Sequence, residues 1–323
     1  MKDIAVSVIC NTFNHGEYIK DALEGFIMQK TTFPFEVLIH DDASTDNTAE
    51  IIREYEEKHP DIIKAVYQTE NQYSKGVIIS AKFQHPRAKG RYIALCEGDD
   101  YWTDPYKLQK QFDALEKHPE IDMCVHAAYR VDATTGKICG EMAPKNKDEE
   151  TIIPVEQVIL EGGNSYIPTA SILYRKSMRE NVPEFRKKLS IDYTLQINGA
   201  LRGGILYIGE FMSAYRIGVS GSWNDRMAKN PEKAKKHYEI KHEMLKILDK
   251  ETENRYAAAI SEMLLRTETA VIVIEKRYKD LLKEPYKKIF KGYPLKKKLT
   301  ILILAYLPWV VRIKRKIAKR GKE

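Results

Sequence analysis

Hydrophobic and polar positions in the first 130 residues alternate between two periods. Short, apolar, β-branched runs of the kind that form buried strands occupy residues 4–10, 35–40, 61–67, 91–96 and 122–128. Apolar residues at helical spacing lie between them, at residues 18–29, 49–59 and 107–117. Strands that alternate with helices predict an α/β fold with a mostly parallel central sheet and right-handed crossovers.

The second half of the chain changes character. A polar, Gly- and Lys-rich stretch at 134–150 predicts a surface loop, and strands are expected at 167–174 and 205–216, with a helix at 192–201 between them. From about residue 230 the pattern is helical almost without a break. The predicted organisation is an α/β domain over 1–225 and a helical extension over 226–323.

Charge is distributed unevenly over the 323 residues. The chain is 43% hydrophobic and 31% charged, which is typical of a soluble globular protein. The net charge is +7. Residues 276–323 contain 17 Lys and Arg and 3 Asp and Glu, whereas the rest of the chain contains 36 basic and 43 acidic residues. The body is mildly acidic, and the tail is strongly basic.

The cysteines and the N-terminus both indicate the cytoplasm. Cys10, Cys96, Cys124 and Cys139 show no paired spacing, and the first three lie in apolar runs. They are predicted to be buried free thiols in a reducing compartment, with neither disulfides nor a zinc site. The first residues lack the pattern of a signal peptide and instead predict the first strand of a domain.

Paired carboxylates follow two of the predicted strands. Asp41 and Asp42 end the second strand, and Asp99 and Asp100 end the fourth, beside Glu97. Ligands of open α/β sheets bind beyond such strand ends. Two acidic pairs on one edge repel each other unless a cation is present, and carboxylate oxygens suit Mg²⁺ or Mn²⁺. For Asp100 a helix N-cap or turn role remains an alternative.

Three segments resemble the signatures of family 2 glycosyltransferases with the GT-A fold. They match in order and spacing within a resemblance that covers roughly the first 220 residues. The segments are Val6-Ser7-Val8-Ile9-Cys10-Asn11-Thr12-Phe13-Asn14, then Phe35 to Thr48 around His40-Asp41-Asp42, then Arg91 to Trp102 around Glu97-Gly98-Asp99-Asp100. The resemblance implies a Rossmann-like GT-A domain that binds a nucleotide-sugar within 1–130 and an acceptor within 150–225.

The resemblance also implies site residues. Nucleotide-binding positions are Asn11, Thr12, Phe13, Asp41, Asp42, Glu97, Gly98 and Arg216. Among these, Thr12 and Phe13 lie against the base and Asp42 bonds the uracil edge. Asp99 takes the metal-ligand place, for Mn²⁺ or Mg²⁺. Glu97 replaces the usual first Asp of the family's DxD motif and is one methylene longer, so it is expected to contact ribose or metal-bound water instead of the metal.

The catalytic base implied by the resemblance is Asp192. Ser190 to Leu195 is similar to the family's ED-type motif, with Ile191 in place of the usual Glu. This apolar neighbour is expected to raise the pKa of Asp192 toward neutrality. An N-cap role for Asp192 remains an alternative.

Arg216 matches the Arg of the family's Tyr-Arg strand end, where it would pair with the diphosphate. Many relatives carry a His two residues later, but this chain has Gly218. Metal binding would then rest on Asp99, the diphosphate and water, or on compensation from the loop 220–223.

The basic tail contains a 13-residue, largely apolar run, 299–311, between Lys296-Lys297-Lys298 and the basic segment 312–316. The run is too short to span a bilayer, which takes about 20 residues. It predicts an in-plane anchor on an anionic membrane, or alternatively a core-packing helix with a solvated basic end. No nucleic-acid recognition motif accompanies the charge.

The resemblance implies an inverting transfer of a sugar from a nucleotide-sugar, with UDP favoured, to a hydroxyl of a saccharide acceptor. With the membrane anchor, the acceptor is expected to be lipid-linked and the protein peripheral at the inner face of the cell membrane. Two alternatives remain. A nucleotidyltransferase would need a Gly-rich phosphate loop, whereas the first turn is Asn11 to Gly16. A non-catalytic, membrane-docked nucleotide-sugar or glycan-binding subunit would explain Ile191 and Gly218.

Overall fold

A computed structural model of the protein describes residues 3–144, 150–162, 166–220, 223–307 and 309. The chain divides into two compact units, Met1–Ser222 and Trp223–Glu323. The functions assigned above to 1–225 and 226–323 stay predictions, because a structural division does not test what each part does.

The first unit is an α/β layer structure. Its strands are β1 (Val6–Thr12), β2 (Phe35–Asp41), β3 (Ile63–Tyr67), β4 (Tyr92–Leu95), β5 (Tyr101–Trp102), β6 (Met123–Asp132), β7 (Ile138–Met142), β8 (Thr151–Ile153), β9 (Leu173–Arg175) and β10 (Ile205–Ile217). Its helices are α1 (Ile19–Ile27), α2 (Thr48–Lys58), α3 (Lys107–Lys117), α4 (Val155–Glu161), α5 (Glu184–Lys188) and α6 (Asp192–Ala200).

All strands join one sheet, in the order β3-β2-β1-β4-β9-β6-β10-β5, with β7 added to β6 and β8 to β10. β1 runs parallel to both β2 and β4, with Thr12 opposite Asp41 and Ile9 opposite Leu95. β9 is antiparallel to both of its neighbours, β4 and β6. The predicted α/β class is confirmed. Its parallel centre places the carboxyl ends of β1, β2 and β4 at one edge.

Two sequence-based expectations fail in detail. The predicted loop 134–150 contains β7, which is held by backbone pairing to β6 although Ile138 is exposed, so its side chains give no burial pattern. Residues 145–149 lie outside the described residues. The predicted strand 167–174 is shortened, because a 3₁₀ turn occupies 169–171 and pairing begins only at Leu173.

The core supports the turn that follows β4. The Trp102 side chain is buried and its indole nitrogen donates to the carbonyl of Ala170 at 2.9 Å. Phe26 of α1 packs edge-on against it, with ring centroids 4.9 Å apart. Lys107 is also fully buried, with its ammonium 4.1 Å from the Trp102 ring centroid and 2.7 Å from the Gln111 side-chain oxygen. Burial lowers the pKa of Lys107 to about 7.

The predicted burial holds for three of the four cysteines. Cys10, Cys96 and Cys124 are buried and unbridged, and Cys139 is exposed and also unbridged. Burial raises the pKa of Cys124 to about 12 and raises that of Cys96 well above its usual value. The buried thiols therefore stay protonated at neutral pH and act as small apolar side chains.

The second unit is helical. It comprises α7 (Trp223–Lys229), α8 (Pro231–Glu251), α9 (Ala257–Ile274), α10 (Lys287–Gly292) and α11 (Leu295–Tyr306). α8 and α9 pack on each other, and Ile301 of α11 packs with Ile272 and Leu281 in a small core. None of the helices in the described parts of the chain is long and apolar enough to cross a bilayer.

Candidate active site

Both acidic turns are hydrogen bonded to the end of β1. The Asp42 amide donates to the Thr12 carbonyl at 3.0 Å, and the Gly98 amide donates to the Asn11 carbonyl at 3.1 Å. The turns that follow β2 and β4 thus flank one strand end. The structure brings the predicted acidic residues to one edge, while their individual roles stay predictions.

The turn after β1 is tied to the turn after β2. Asn14 has a φ of 55° and its amide donates to the Ser44 hydroxyl at 2.9 Å. The Gly16 amide donates to the Asp46 carboxylate, also at 2.9 Å. These bonds form a single rigid rim, on which the Phe13 side chain is exposed.

The carboxylates of Asp41 and Asp42 are buried and hold turns. Asp42 accepts from the backbone amides of Gln72 at 2.8 Å and Tyr73 at 3.0 Å. Asp41 accepts from the amide and the hydroxyl of Ser44. The predicted contact of Asp42 with a nucleobase would therefore have to use oxygen lone pairs that the backbone leaves available.

The turn after β4 carries three acidic side chains in different environments. Glu97 is exposed, the Asp99 side chain retains 18% of its exposure, and Asp100 is buried. One Asp100 oxygen accepts from the Arg216 amide at 2.9 Å, and the other has no partner among the described residues. Burial, and then the charge of Asp99, raise the pKa of Asp100 well above its usual value. β5 follows Asp100 directly, so its turn role is confirmed and the N-cap alternative is wrong.

His15 is a site residue that the sequence analysis missed. Its Nδ1 lies 3.1 Å from the Thr12 hydroxyl and its Nε2 lies 3.9 Å from an Asp99 carboxylate oxygen. Burial lowers the pKa of His15, although the Asp99 charge acts in the opposite direction. The neutral ring can donate one hydrogen bond toward this corner. A histidine three residues after a threonine is too common a pattern to have identified it.

Arg216 holds the acidic turn in place. Its guanidinium donates to the Asp99 carbonyl at 2.8 Å and pairs with the carboxylate of Asp21. It also lies 4.5 Å from the Tyr101 ring centroid and 5.1 Å from that of Tyr18. The structure therefore gives Arg216 a positioning role, and its predicted contact with a diphosphate stays a prediction.

Gly218 lacks the side chain of a histidine, and its backbone also has a conformation that a histidine does not readily adopt. It has a φ of +84°, and a Cβ built there would meet no atom within 4 Å. Left-handed backbone, rather than lack of space, disfavours a side chain here. The loop 220–223 proposed to compensate lies partly outside the described residues. In the part of the chain that is described, no three His, Cys, Asp or Glu side chains are grouped to hold a metal ion.

Asp192 is the first residue of α6, and the N-cap position belongs to Ile191. The N-cap alternative for Asp192 is therefore wrong. Its carboxylate accepts from the Thr169 hydroxyl. Burial raises the pKa of Asp192, and the Thr169 bond and the charge of Arg186 oppose this rise.

β10 is linked both to Asp192 and to the acidic turn. Asp192 accepts from Thr169, which lies in the 169–171 turn that packs against β10. At the other side, Arg216 of β10 donates to the Asp99 carbonyl. Burial, and then the charges of Asp100, Glu97 and Asp99, raise the pKa of Tyr215, the residue of β10 before Arg216, to about 12.

A separate cleft of about 860 Å³ lies at the opposite, amino-terminal edge of β1 and β4. Its lining includes Lys89, Arg91, Arg175 and Lys176 and none of the predicted site residues. The Arg175 guanidinium is already used by the Ile121 and Leu115 carbonyls. This cleft is therefore not assigned as the active site, in spite of its volume.

Residues 7–182 match the family described as glycosyl transferase family 2, and the chain belongs to that family. An uncharacterized protein of Mycobacterium tuberculosis is 37% identical over 68% of this chain and 60% of its own length. The match thus spans about 60% of that relative. The putative teichuronic acid biosynthesis glycosyltransferase TuaG of Bacillus subtilis is 37% identical over 34% of this chain and 41% of its own.

Among solved structures, TarS of S. aureus, residues 1–349 in complex with UDP-GlcNAc, superposes with a TM-score of 0.59. The match covers 89% of this chain and 78% of that one, at 17% identity. At this identity the likeness shows the fold alone, and it confirms the predicted GT-A architecture.

Proposed function

We propose that this protein transfers a sugar from a nucleotide-sugar, preferably a UDP-sugar, to a hydroxyl of a saccharide acceptor with inversion at the anomeric carbon. The observation that carries the proposal is the convergence of the acidic turns after β2 and β4 on the end of β1. Asp192 is bonded to the 169–171 turn, which packs against the strand that carries Arg216. The UDP-GlcNAc bound by TarS and the polymer named for TuaG support this choice of donor and acceptor.

Asp192 is the proposed base for the acceptor hydroxyl. Its carboxylate is held by Thr169 at the start of a helix, and its raised pKa brings it nearer to neutrality, where a base can both accept and release a proton. A single displacement requires this proton to leave as the acceptor oxygen attacks the anomeric carbon. Arg216 keeps the opposing acidic turn in position for the leaving diphosphate.

A divalent cation fits the remaining chemistry. Asp99 offers a partly exposed carboxylate next to exposed Glu97. Mg²⁺ in phosphate-processing sites is held by one or two carboxylates together with substrate phosphate oxygens and water. Asp99 would hold Mg²⁺ or Mn²⁺ in this way. The ion would supply neutralisation of the diphosphate charge.

The test combines donor binding with turnover. We expect one member of a nucleotide-sugar panel to stabilise the protein thermally in the presence of Mn²⁺ and to be consumed when acceptor is added. Asp99→Asn should abolish turnover, whereas Asp113→Asn, which removes an exposed carboxylate bonded to Gln109, should not change it. Full activity of Asp99→Asn would reject the assigned role. Binding without donor consumption would favour the non-catalytic subunit.

The second unit is proposed to dock on an anionic membrane surface. α11 buries Ile301 but exposes an apolar stripe at helical spacing, with Leu295 73%, Leu299 51%, Ile303 37% and Tyr306 60% exposed. Lys296, Lys297 and Lys298 lie beside it, and the local excess of basic residues in 276–323 suits anionic lipid. The basic segment 312–316 lies outside the described residues. This location, at the inner face of the cell membrane, suits a lipid-linked acceptor in surface polysaccharide synthesis.

Vesicle sedimentation tests the docking surface. Leu299→Gln combined with Ile303→Gln should release the protein from vesicles that contain anionic lipid. Ile138→Gln, an equally polar change at an exposed apolar residue of β7, should leave binding unchanged. Unaltered sedimentation of the double variant would reject α11 as the membrane contact.

A further inference from the structure

Three basic side chains gather near Asp192 and are called the cationic cluster: His85 from the turn 85–87, Arg179 from the turn 176–179 and Arg186 from α5. The charges of Arg179 and Arg186 reach His85, whose pKa is lowered to about 3 by burial and then by these neighbours. α5, which carries Arg186, packs against α6, which begins at Asp192. The cluster therefore borders the proposed catalytic base.

Arg186 is buried and forms no close ion pair with any of the described residues. Its exposed fraction is only 6%, and its Nη1 has no hydrogen-bond partner among the described residues. The Nδ1 atom of His85 is also buried and has no hydrogen-bond partner among the described residues. Buried charges in proteins are normally paired, and buried polar atoms are normally hydrogen bonded. Burial lowers the pKa of Arg186 to about 10, with a further decrease from the charge of Arg179, and the charges of Tyr174 and Asp192 oppose this decrease only in part.

A purely structural arginine in the same unit looks different. Arg175 donates from all three of its guanidinium nitrogens, to the Ile121 carbonyl at 2.9 Å, to the Tyr92 hydroxyl at 2.6 Å and to the Leu115 carbonyl at 2.6 Å. Arg186 is more deeply buried than Arg175, yet its Nη1 has no such bond among the described residues. What would satisfy it is an acceptor with negative charge, and a guanidinium matches the two oxygens of a phosphate or carboxylate.

We infer that the cationic cluster binds an oxyanion of the acceptor substrate, a phosphate or a carboxylate, next to the hydroxyl that Asp192 deprotonates. Half-buried His85 and Arg179 leave the cluster a side open to solvent, while Arg186 forms its buried floor. The inference rests on the proposed function, because the anion is assigned to the acceptor of that reaction. The acceptor would then be a phosphate-linked saccharide or an acidic sugar.

Calorimetric titration of the full chain, first saturated with UDP to fill the donor site, tests the inference. Inorganic phosphate and glucuronate are the probes, and glucose is the neutral control. We expect one of the two anions to bind, with glucose silent. Arg186→Met should weaken that binding at least tenfold. Lys187→Met removes the same charge from an exposed position of the same helix and should change it less than twofold.

Each outcome has a defined meaning. Phosphate binding that depends on Arg186 indicates a phosphate-linked acceptor, and glucuronate binding indicates an acidic sugar. Binding of neither anion, or equal binding to Arg186→Met, overturns the inference. If Arg186→Met does not fold, Arg179→Gln should weaken binding at least threefold, and unchanged binding overturns the inference as well. Failure at the earlier UDP step would count against the proposed donor and leave the cluster to be judged by the anion titration alone.

Discussion

Replacing Gly98 by alanine tests how closely the acidic turn must pack on β1. The added Cβ would lie 2.5 Å from the Thr12 hydroxyl oxygen, 2.8 Å from its Cβ and 3.0 Å from His15 Nδ1. Carbon contacts are favourable at about 3.5–4.0 Å, so the turn must move by about 1 Å. That movement strains the 3.1 Å bond from Gly98 to the Asn11 carbonyl.

The size of the effect follows from the cost of overpacking. Extra methyl groups in tightly packed sites cost about 1–3 kcal/mol. If this cost falls on the conformation that binds the donor, UDP affinity decreases by about 5- to 150-fold. Because the Thr12 and His15 side chains both lie close to the added methyl group, Gly98→Ala must displace the turn or these two side chains.

Calorimetric titration with UDP in the presence of Mn²⁺ measures the change, and circular dichroism verifies the fold. Gly140→Ala is the matched control, because its Cβ would meet nothing closer than 3.5 Å and it lies on β7. Its UDP affinity should stay within about twofold of the wild type. Equal affinities for both folded variants would refute the claim that this turn forms part of the donor site.

Three further predictions concern buried charge and the site turns. The pKa of Lys107 is about 7 in the fold and 10.5 ordinarily, so the unfolded chain binds more protons between these values and stability rises with pH there. Lys107→Met removes this dependence. The free energy of unfolding of the variant minus that of the wild type should therefore be about 3 kcal/mol higher at pH 6 than at pH 9. Urea titrations that give the same difference at both pH values would contradict a buried ammonium. Asp42→Asn replaces one acceptor of the Gln72 and Tyr73 amides with a donor, at a cost of about 1–3 kcal/mol. Hydrogen exchange at 71–75 should then accelerate, and unchanged exchange would show that these bonds do not hold the turn. Because burial raises the pKa of Asp192, transfer activity should fall as pH drops, with a midpoint above the ordinary aspartate pKa of about 3.9. A midpoint at or below that pKa would exclude Asp192 as the base. The same decrease at low pH in Asp192→Asn would exclude it as well.

Local patterns predicted the parts of the fold that local forces determine. The bounds of α3 match the predicted helix 107–117, and β2 matches the predicted strand 35–40 to within one residue. These segments have clear hydrophobic periodicity because one face of the helix, or nearly all of the strand, is buried. The short strand β7 was missed because backbone pairing alone keeps it in the sheet.

Only the site residues that lie in the family's signature segments could be predicted from the sequence. Asp42 and Asp99 could be placed on one edge because parallel strands align their ends. The contacts of Arg216 with Asp21 and of Asp192 with Thr169 join residues far apart in sequence, and no local pattern encodes them. The cationic cluster was invisible for the same reason, since burial without a partner is a property of the folded chain.

The left-handed backbone at Gly218 affects how this sequence can change. A histidine introduced there would have to adopt a conformation that costs an L-residue roughly 1–2 kcal/mol, so one codon change does not recreate the relatives' arrangement. A histidine at this position would therefore also require a change in the backbone of the loop. Introducing a ligand side chain here is a two-part alteration, of backbone and of residue type.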